Sequence, residues 1–255
     1  MEIRLDNQVV VITGASRGIG LAIAAEVLSS GGLVVLSSRK EDNLREAVNE
    51  LGGPNERIST IAANAGRSED TERVIELAMN RYGRIDGLVN NAATSPHYGP
   101  LVEISDSQMT KTYDTNLAGV MYAVRAAWHA AMKENGGSIV NVASIGGLGP
   151  GSNIGWYNVT KAGVIHLTRQ LAFELGPNVR VNAIAPGVVR TEMARALWDG
   201  REEVLNSRIP LHRIGEPDDI AKLTVFLLSS ASSWITGQTH VIDGGTTIRP
   251  NGGLG

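Results

Sequence analysis

The sequence contains no cysteine. Disulfides, thiolate nucleophiles and cysteine-ligated metal centres are therefore excluded together. Aromatic residues make up only 4% of the chain, which argues against surfaces built to stack on bases. Neither sign of charge dominates, and the formal net charge is −3, so nothing points to nucleic acid or an anionic membrane as a partner. No apolar stretch reaches the length of a membrane span. Glu2, Arg4 and Asp6 interrupt the N-terminal segment before a signal-peptide core could form. The Asn251–Gly255 tail is neither a lipid anchor nor a peroxisomal address. His97, His129, His166, His212 and His240 are scattered, with no carboxylate cluster at ligand spacing, so no metal site is expected. Linkers, repeats and low-complexity stretches are absent too. A cytoplasmic, globular, single-domain protein spanning residues 1–255 is expected.

What is present is a sizeable apolar fraction, 42%, against 19% charged, arranged as short β-branched runs alternating with helical segments. The pattern predicts strands at Val9–Thr13, Leu33–Ser37, Arg57–Ala62, Ile85–Asn90, Ser138–Ser144, Val179–Ile184 and His240–Ile242. Helices are predicted at Leu21–Ser30, Lys40–Leu51, Ser68–Tyr82, Asp106–Glu134, Trp156–Leu175 and Pro217–Ser229, with a polar helical segment between Pro186 and Arg208. Ser68 is the expected N-cap of its helix, Gly83 its stop, and Pro217 sits at a first helical position. Strand–helix alternation of this kind means βαβ units and a parallel, doubly wound α/β sheet.

The chain is organised around Asn141–Lys161. Ser144 closes a strand, a glycine-rich loop follows, and Tyr157 and Lys161 sit at i, i+4 on one helix face. A phenol, an ammonium and a hydroxyl held together make a proton-transfer site. A second glycine-rich stretch, Thr13-Gly14-Ala15-Ser16-Arg17-Gly18-Ile19-Gly20, joins the first strand to the first helix. Gly14 permits the tight turn, Gly18 a close approach of backbone to phosphate, and Gly20 helix–strand packing. The helix N-terminus adds free N–H donors for a pyrophosphate. At the end of the second strand an NAD enzyme would carry Asp or Glu. Here Ser38 and Arg39 stand instead, with Arg17 in the glycine loop, and suit the 2′-phosphate of NADP(H), with NAD(H) as the alternative. Asn90-Asn91-Ala92-Ala93 follows the fourth strand, and Asn116 stands in a helix for which it has poor propensity.

Together these residues resemble the short-chain dehydrogenase/reductase superfamily over essentially the whole chain. The matching stretches are Thr13–Gly20, Asn90–Ala92, Asn116, Ser144, Tyr157-x-x-x-Lys161, and Pro186-Gly187 with Thr191. The resemblance implies a single Rossmann domain with seven parallel strands and helices on both faces. It implies that Tyr157 is the general acid/base, that Lys161 lowers its pKa and holds the nicotinamide ribose, and that Ser144 orients the substrate carbonyl. Asn116 would anchor a water in a proton relay. Gly14, Ser16, Arg17, Gly18, Ile19 and Gly20 would meet the pyrophosphate side. Asn91 and Ala92 would line the adenosine and ribose path, and Pro186, Gly187, Val189 and Thr191 the nicotinamide end. Two positions depart from the pattern: Ala93 replaces the usual Gly, and Asn64 replaces an adenine-contacting Asp.

The implied reaction is hydride transfer between nicotinamide and a ketone or secondary alcohol. Proton exchange near neutrality asks for a drop of about three units in the Tyr157 pKa, roughly 4 kcal/mol. A cofactor-sensing protein without catalysis would break at least one of Asn116, Ser144, Tyr157 and Lys161, and all are present. A Ser/His hydrolase lacks a His placed to activate Ser144. The resemblance points to a 3-oxoacyl thioester, as in 3-oxoacyl-carrier-protein reductases. NADP-dependent carbonyl and retinol reductases, and NAD-linked alcohol dehydrogenases, are the alternatives. A lid over residues 190–215, apolar along Met193, Leu197 and Trp198, and a homotetramer are further expectations. Arg125, Lys133, Arg169 and Arg180 are the cations available to an acidic carrier protein, and Ala126, Ala127, Ala130 and Ala131 those small enough for close helix pairing between subunits.

Overall fold

Strand propensity and burial coincide along the chain. Val9–Thr13 forms β1 with every residue buried. It is followed by β2 (Leu33–Ser38), β3 (Ile58–Ala62), β4 (Gly87–Asn90), β5 (Gly137–Val142), β6 (Val179–Pro186) and β7 (Thr239–Ile242). All pair in parallel in one seven-stranded sheet of order β3-β2-β1-β4-β5-β6-β7. The structure, a computed structural model, describes residues 3–248. Glu2 and the Asn251–Gly255 tail, which two expectations invoked, lie outside the described residues.

Strands β1, β2 and β3 run outward one way, and β4 begins again on the other flank of β1. That reversal opens a crevice beyond the carboxyl ends of β1 and β4, where a doubly wound sheet holds its ligand. Alternate residues of each strand feed two cores. Val9 and Val11 face the layer of α3 (Ser68–Tyr82), α4 (residues 106–135) and α5 (Gly155–Leu175). Val10 and Ile12 face α1 (Gly18–Ser29), α2 (Glu41–Glu50) and α6 (Pro217–Leu228). The doubly wound, single-domain α/β architecture expected from the sequence is the one found. Among the described residues no helix is long and apolar enough to cross a membrane.

Several boundaries differ for local reasons. α1 starts at Gly18, because the second half of the glycine loop is wound into its first turn. β4 starts at Gly87, although the Asp86 N–H donates to Val9 O and its carbonyl accepts the Ser138 N–H, both at 2.9 Å, while its carboxylate accepts the Val9 N–H at 2.8 Å. Ser68 is the first helical residue of α3 and not its cap. Arg67 takes that place without a side-chain bond, while the Ser68 hydroxyl donates to Glu72 and accepts from Arg125. Gly83 does end α3, left-handed at φ +72°, as expected. Helix α4 is interrupted by π-turns at Asp114–Ala118 and Trp128–Met132, a device often found where a helix must present a functional residue. Asn116 lies in the first. Between β6 and α6 the chain leaves the sheet through two short helices, Arg195–Trp198 and Glu202–Arg208.

Candidate active site

The glycine loop is held from behind by side chains of the β1 and β4 ends. Asn91 donates its amide to the carbonyls of Thr13 and Gly14, both at 2.9 Å. Thr13 Oγ1 accepts the N–H groups of Asn91 and Ala92 at 3.1 Å each. Gly14 is left-handed at φ +65°, and a Cβ there would lie 2.8 Å from Ala92 Cα. A Cβ on Gly20 would lie 2.5 Å from the Asn91 amide nitrogen. These glycines are thus needed to let the β4 end press against the loop. The Asn91 side chain is spent on that clamp and does not reach outward.

In front of the loop the chain leaves donors free. α1 has no side-chain cap and no acidic residue in its first turn, so its first N–H groups are unclaimed by side chains and face the crevice. Ser16 Oγ lies 2.9 Å from Ser38 Oγ, joining the loop to the end of β2. Arg17 and Arg39 stand exposed on the same rim, with no ion pair among the described residues. Asn64 is partly committed, its Oδ1 accepting the Gly66 N–H at 3.1 Å, and its amide N–H groups are what it can offer a ligand.

The crevice continues past β4 as one cleft of about 1630 Å³. Every expected site residue lies on its wall except Gly20, packed behind the loop, and Asn116. Asn116 is 1% exposed; its oxygen accepts the Thr94 N–H at 2.8 Å, and its nitrogen donates to Thr94 O and Thr160 Oγ1. Thr160 Oγ1 in turn donates to the Tyr157 carbonyl at 2.7 Å. Asn116 therefore ties the chain after β4 to the turn of α5 that carries Tyr157. Both its N–H groups are used, so a water could meet this side chain only as a donor to Oδ1. Thr94 and Thr160 were not singled out from the sequence; Thr160 lies inside the Tyr157–Lys161 spacing and was passed over as filler.

At the far end Tyr157, half-buried, and Lys161, 2% exposed, share a face of α5. Lys161 Nζ donates to Val142 O at 2.6 Å and stands 5.5 Å from the centre of the Tyr157 ring. Ser144, just past β5, accepts the Gly146 N–H on its Oγ at 3.1 Å. That bond fills one lone pair, and the hydroxyl hydrogen is directed at the Tyr157 phenol oxygen, where a substrate oxygen could also receive it. Burial pushes the Tyr157 phenol up to about 12, with its hydrogen bond to Ser144 pulling the other way. Burial pulls the Lys161 ammonium down to about 8. Burial and Ser144, and not Lys161, are the influences on the phenol in the chain by itself. Desolvation of the tyrosinate is the largest influence, and the Lys161 ammonium gives one of its three N–H donors to the Val142 carbonyl.

Farther out, Arg190 anchors the excursion after β6. It meets Glu202 through two bonds of 2.8 and 2.6 Å, reaches Glu216 at 2.9 Å, and lies over the Trp198 ring at 5.4 Å. A Cβ on Gly18 would lie 3.2 Å from Thr191 Cγ2, so this excursion starts in contact with the glycine loop. Tyr98, Leu148 and Met193 line the mouth and remain exposed, with His97, Arg190 and Glu192 among them. The cations expected to receive a carrier protein do not gather there. Arg180 is turned inward, donating to the carbonyls of Leu227, Leu228 and Ser229 and so capping α6. Arg125 is bonded to Ser68 beside Tyr122.

Dinucleotide-dependent oxidoreductases are the class in which this fold and these groups occur together. Similarity to known proteins narrows the class. A family model described as enoyl-(acyl carrier protein) reductase matches residues 14–247. The chain is 37% identical over 248 residues to dehydrogenase/reductase SDR family member 4 of Sus scrofa, covering 96% of this chain and 89% of that one. Identity to the Homo sapiens protein of that name is 38%, with the same coverage. A crystal structure titled short-chain dehydrogenase/reductase SDR:glucose/ribitol dehydrogenase, from Brucella melitensis, superposes with a TM-score of 0.92 at 36% identity, covering 96% of this chain and 99% of the other. The chain belongs to the short-chain dehydrogenase/reductase family, oxidoreductases that act with nicotinamide cofactors.

Proposed function

We propose that the chain is an NADP(H)-dependent reductase of ketones with an apolar body. The observation that carries this is the convergence of Ser144, Tyr157 and Lys161 at one end of a cleft whose other end is an uncapped helix N-terminus flanked by unpaired arginines. The uncapped first turn, with Gly14 and Gly18 at positive φ, fits a pyrophosphate. Arg17, Arg39 and the Ser16–Ser38 pair would hold a 2′-phosphate. Asn64 would meet the base, and Pro186, Gly187, Val189, Thr191 and Lys161 the nicotinamide side. When bound, a nicotinamide dinucleotide supplies the two-electron redox chemistry.

The chain's own groups supply the rest. Ser144, its lone pair filled by Gly146, donates its hydrogen to the substrate oxygen as charge develops there. Tyr157 gives up its proton to the same oxygen. A phenol raised to about 12 is protonated at neutral pH, so the resting chain is set for reduction. Lys161, titrating at about 8, offers a proton to restore the phenol. Asn116 holds the Tyr157 backbone through Thr160 and meets the relay water on its oxygen. The excursion over residues 190–215 acts as a lid.

Exposed Tyr98, Leu148 and Met193 at the mouth, with the Glu192 carboxylate beside them, favour a free ketone over one carried on an acidic protein. The description of the matching family model keeps a 3-oxoacyl thioester as the second reading. Initial rates with NADPH decide between them: an aromatic vicinal diketone is expected to be reduced faster than an acetoacetyl thioester. The reverse ranking would make the thioester the substrate. Consumption of neither would leave only NAD-linked alcohol oxidation. Exposed apolar side chains on two surfaces suit a tetramer with two kinds of two-fold contact. Tyr113, Met121 and Val159 lie on α4 and α5, and Phe173, Trp234 and Val241 near β7. Ala127 and Ala131 are buried within the subunit, so they take no part in such contacts. A monomer by light scattering at micromolar concentration would end that idea.

A further inference from the structure

Asn158 follows Tyr157 on α5 and has no role in the chemistry above. It is 6% exposed, yet neither its Oδ1 nor its Nδ2 has a hydrogen-bond partner. Native folds leave few buried polar groups unmet, and each one calls for a reason. The surroundings supply one. Asn158 lies beneath the loop that follows β5: a Cβ on Gly146 would overlap its Oδ1, and one on Gly151 would lie 3.0 Å from its Nδ2. The glycines vacate the space that the amide fills. The Gly146 hydrogen that a side chain would replace points at Oδ1, a weak C–H···O contact where a full hydrogen bond is missing.

Gly146 is also the residue whose N–H fills the Ser144 Oγ lone pair at 3.1 Å. Contact therefore runs from Asn158 to Gly146 to the Ser144 hydroxyl, and a shift of Gly146 would turn or release that hydroxyl. The loop itself is tied only locally, Gly147 N to Ser144 O and Leu148 N to Ile145 O, both at 2.9 Å. Gly147 lies flat on α5, where a Cβ would come within 2.7 Å of the Lys161 carbonyl carbon. Leu148 and Pro150, farther along, line the cleft and meet whatever enters it. Past Leu148 the main chain of residues 149–151 makes no main-chain hydrogen bond among the described residues, so this stretch can settle on a substrate over the donor and acceptor beneath it.

We propose that Asn158 is a positioning residue for the Ser144 hydroxyl, acting through Gly146, and that its amide completes its hydrogen bonds with the Ile145–Gly151 main chain when a carbonyl substrate occupies the cleft. The idea rests on the reading of Ser144 given above. It separates the arrangement in which the amide is unmet from the one with a substrate in the cleft, where it is bonded. An apolar replacement of similar size removes two unmet polar atoms from the first state and two hydrogen bonds from the second.

Asn158→Leu is the deciding variant, assayed with NADPH and the better of the two ketones. Its melting temperature is expected to stay level or rise, its KM for NADPH to stay unchanged, and its kcat to fall at least about tenfold, the loss of two hydrogen bonds. A residue that merely fills space would raise stability and leave kcat alone; kcat within twofold of the wild type overturns the proposal. A second measurement needs no turnover. Gly146→Ala is expected to lower the melting temperature sharply in the wild type and only weakly in the Asn158→Ala background, because the overlap is then gone. Additive losses would show that the two residues do not touch and overturn the link. Absence of turnover in the wild type with any ketone would remove the reading of Ser144, and the catalytic half of this proposal with it. The stability cycle would still decide the Asn158–Gly146 contact.

Discussion

At the β1–β2 end of the cleft the chain is fixed by backbone conformation and buried side chains; at the β5–β6 end it is fixed by glycines laid on a helix and by exposed ion pairs. The first end depends on Asn91 and Thr13, each bonded to main chain and packed against glycines that admit no Cβ. The second depends on Gly146 and Gly147 resting on α5, and on Arg190 reaching Glu202 and Glu216 across solvent. Hydrogen bonds out of water hold a geometry tightly, whereas surface ion pairs are weak and screened. A dinucleotide presents the same phosphates to every enzyme that uses it, so its end can be rigid. A substrate-binding end has to differ from one enzyme to the next, and weak ties allow that. The two ends should therefore fail separately.

The sharpest break between them is Tyr157→Phe. Turnover should fall by at least about a thousandfold, within the range for a lost general acid, while NADPH affinity by fluorescence titration stays within a factor of about two. The phenol borders the cleft but makes no bond to the glycine loop. If nucleotide binding weakened in step with turnover, the ends would be coupled and the comparison wrong.

Lys161, at the seam, is read through pH. Its ammonium is pulled down to about 8 in the folded chain from an ordinary 10.5, so between those values the unfolded chain holds the extra proton. Stability of the wild type relative to Lys161→Met should then rise with pH across that window, by about 3 kcal/mol in total. Tyr157 works the other way: raised to about 12 from 10, it leaves the folded chain holding the proton, and stability falls with pH over that interval. Urea midpoints of both proteins from about pH 7 to 10 test the sign. A wild type that loses ground to Lys161→Met as pH rises would mean that the buried ammonium is stabilised, not strained.

How much of this could be read in the sequence follows the same division. Gly14, Gly18, Gly20, Ser38 and Arg39 announced themselves because phosphate chemistry fixes residue type and spacing locally. Tyr157 and Lys161 did so because one helix turn sets their separation. The π-turn around Asn116 was invisible, since one extra residue per turn leaves no mark in an apolar, alanine-rich helix. Ser68 was misread as a cap because composition cannot tell the last extended residue from the first helical one. Asn158 drew no notice because its burial is created by Gly146 and Gly151, which precede it in the chain. Arg180 passed for a surface cation, and only the fold brings the end of α6 to it.

Arg39→Ala tests the first end alone. Losing one charge-assisted contact should lower kcat/KM for NADPH about tenfold and leave that for NADH nearly unchanged. KM for the ketone should not move. An equal loss with both nucleotides would place Arg39 on a phosphate shared by the two and remove the case for NADP(H) preference.

Arg190→Ala tests the second end, and its effect should be the smallest. The guanidinium is more than a third exposed, as are Glu202 and Glu216, so each pair is screened and contributes little to global stability. Melting temperature should hardly change. The stacking on Trp198 and the two carboxylates act together on one short stretch, though, and losing all three should free the lid. KM for the ketone should rise about threefold, the rise should shrink at high salt where the wild-type pairs are already screened, and KM for NADPH should stay put. Thr191 touches Gly18 directly below this lid, and that contact is the one route by which the second end could disturb the first. A rise in KM for NADPH matching that for the ketone would show that the route is used, and that the weakly tied end of the cleft steers the rigid one.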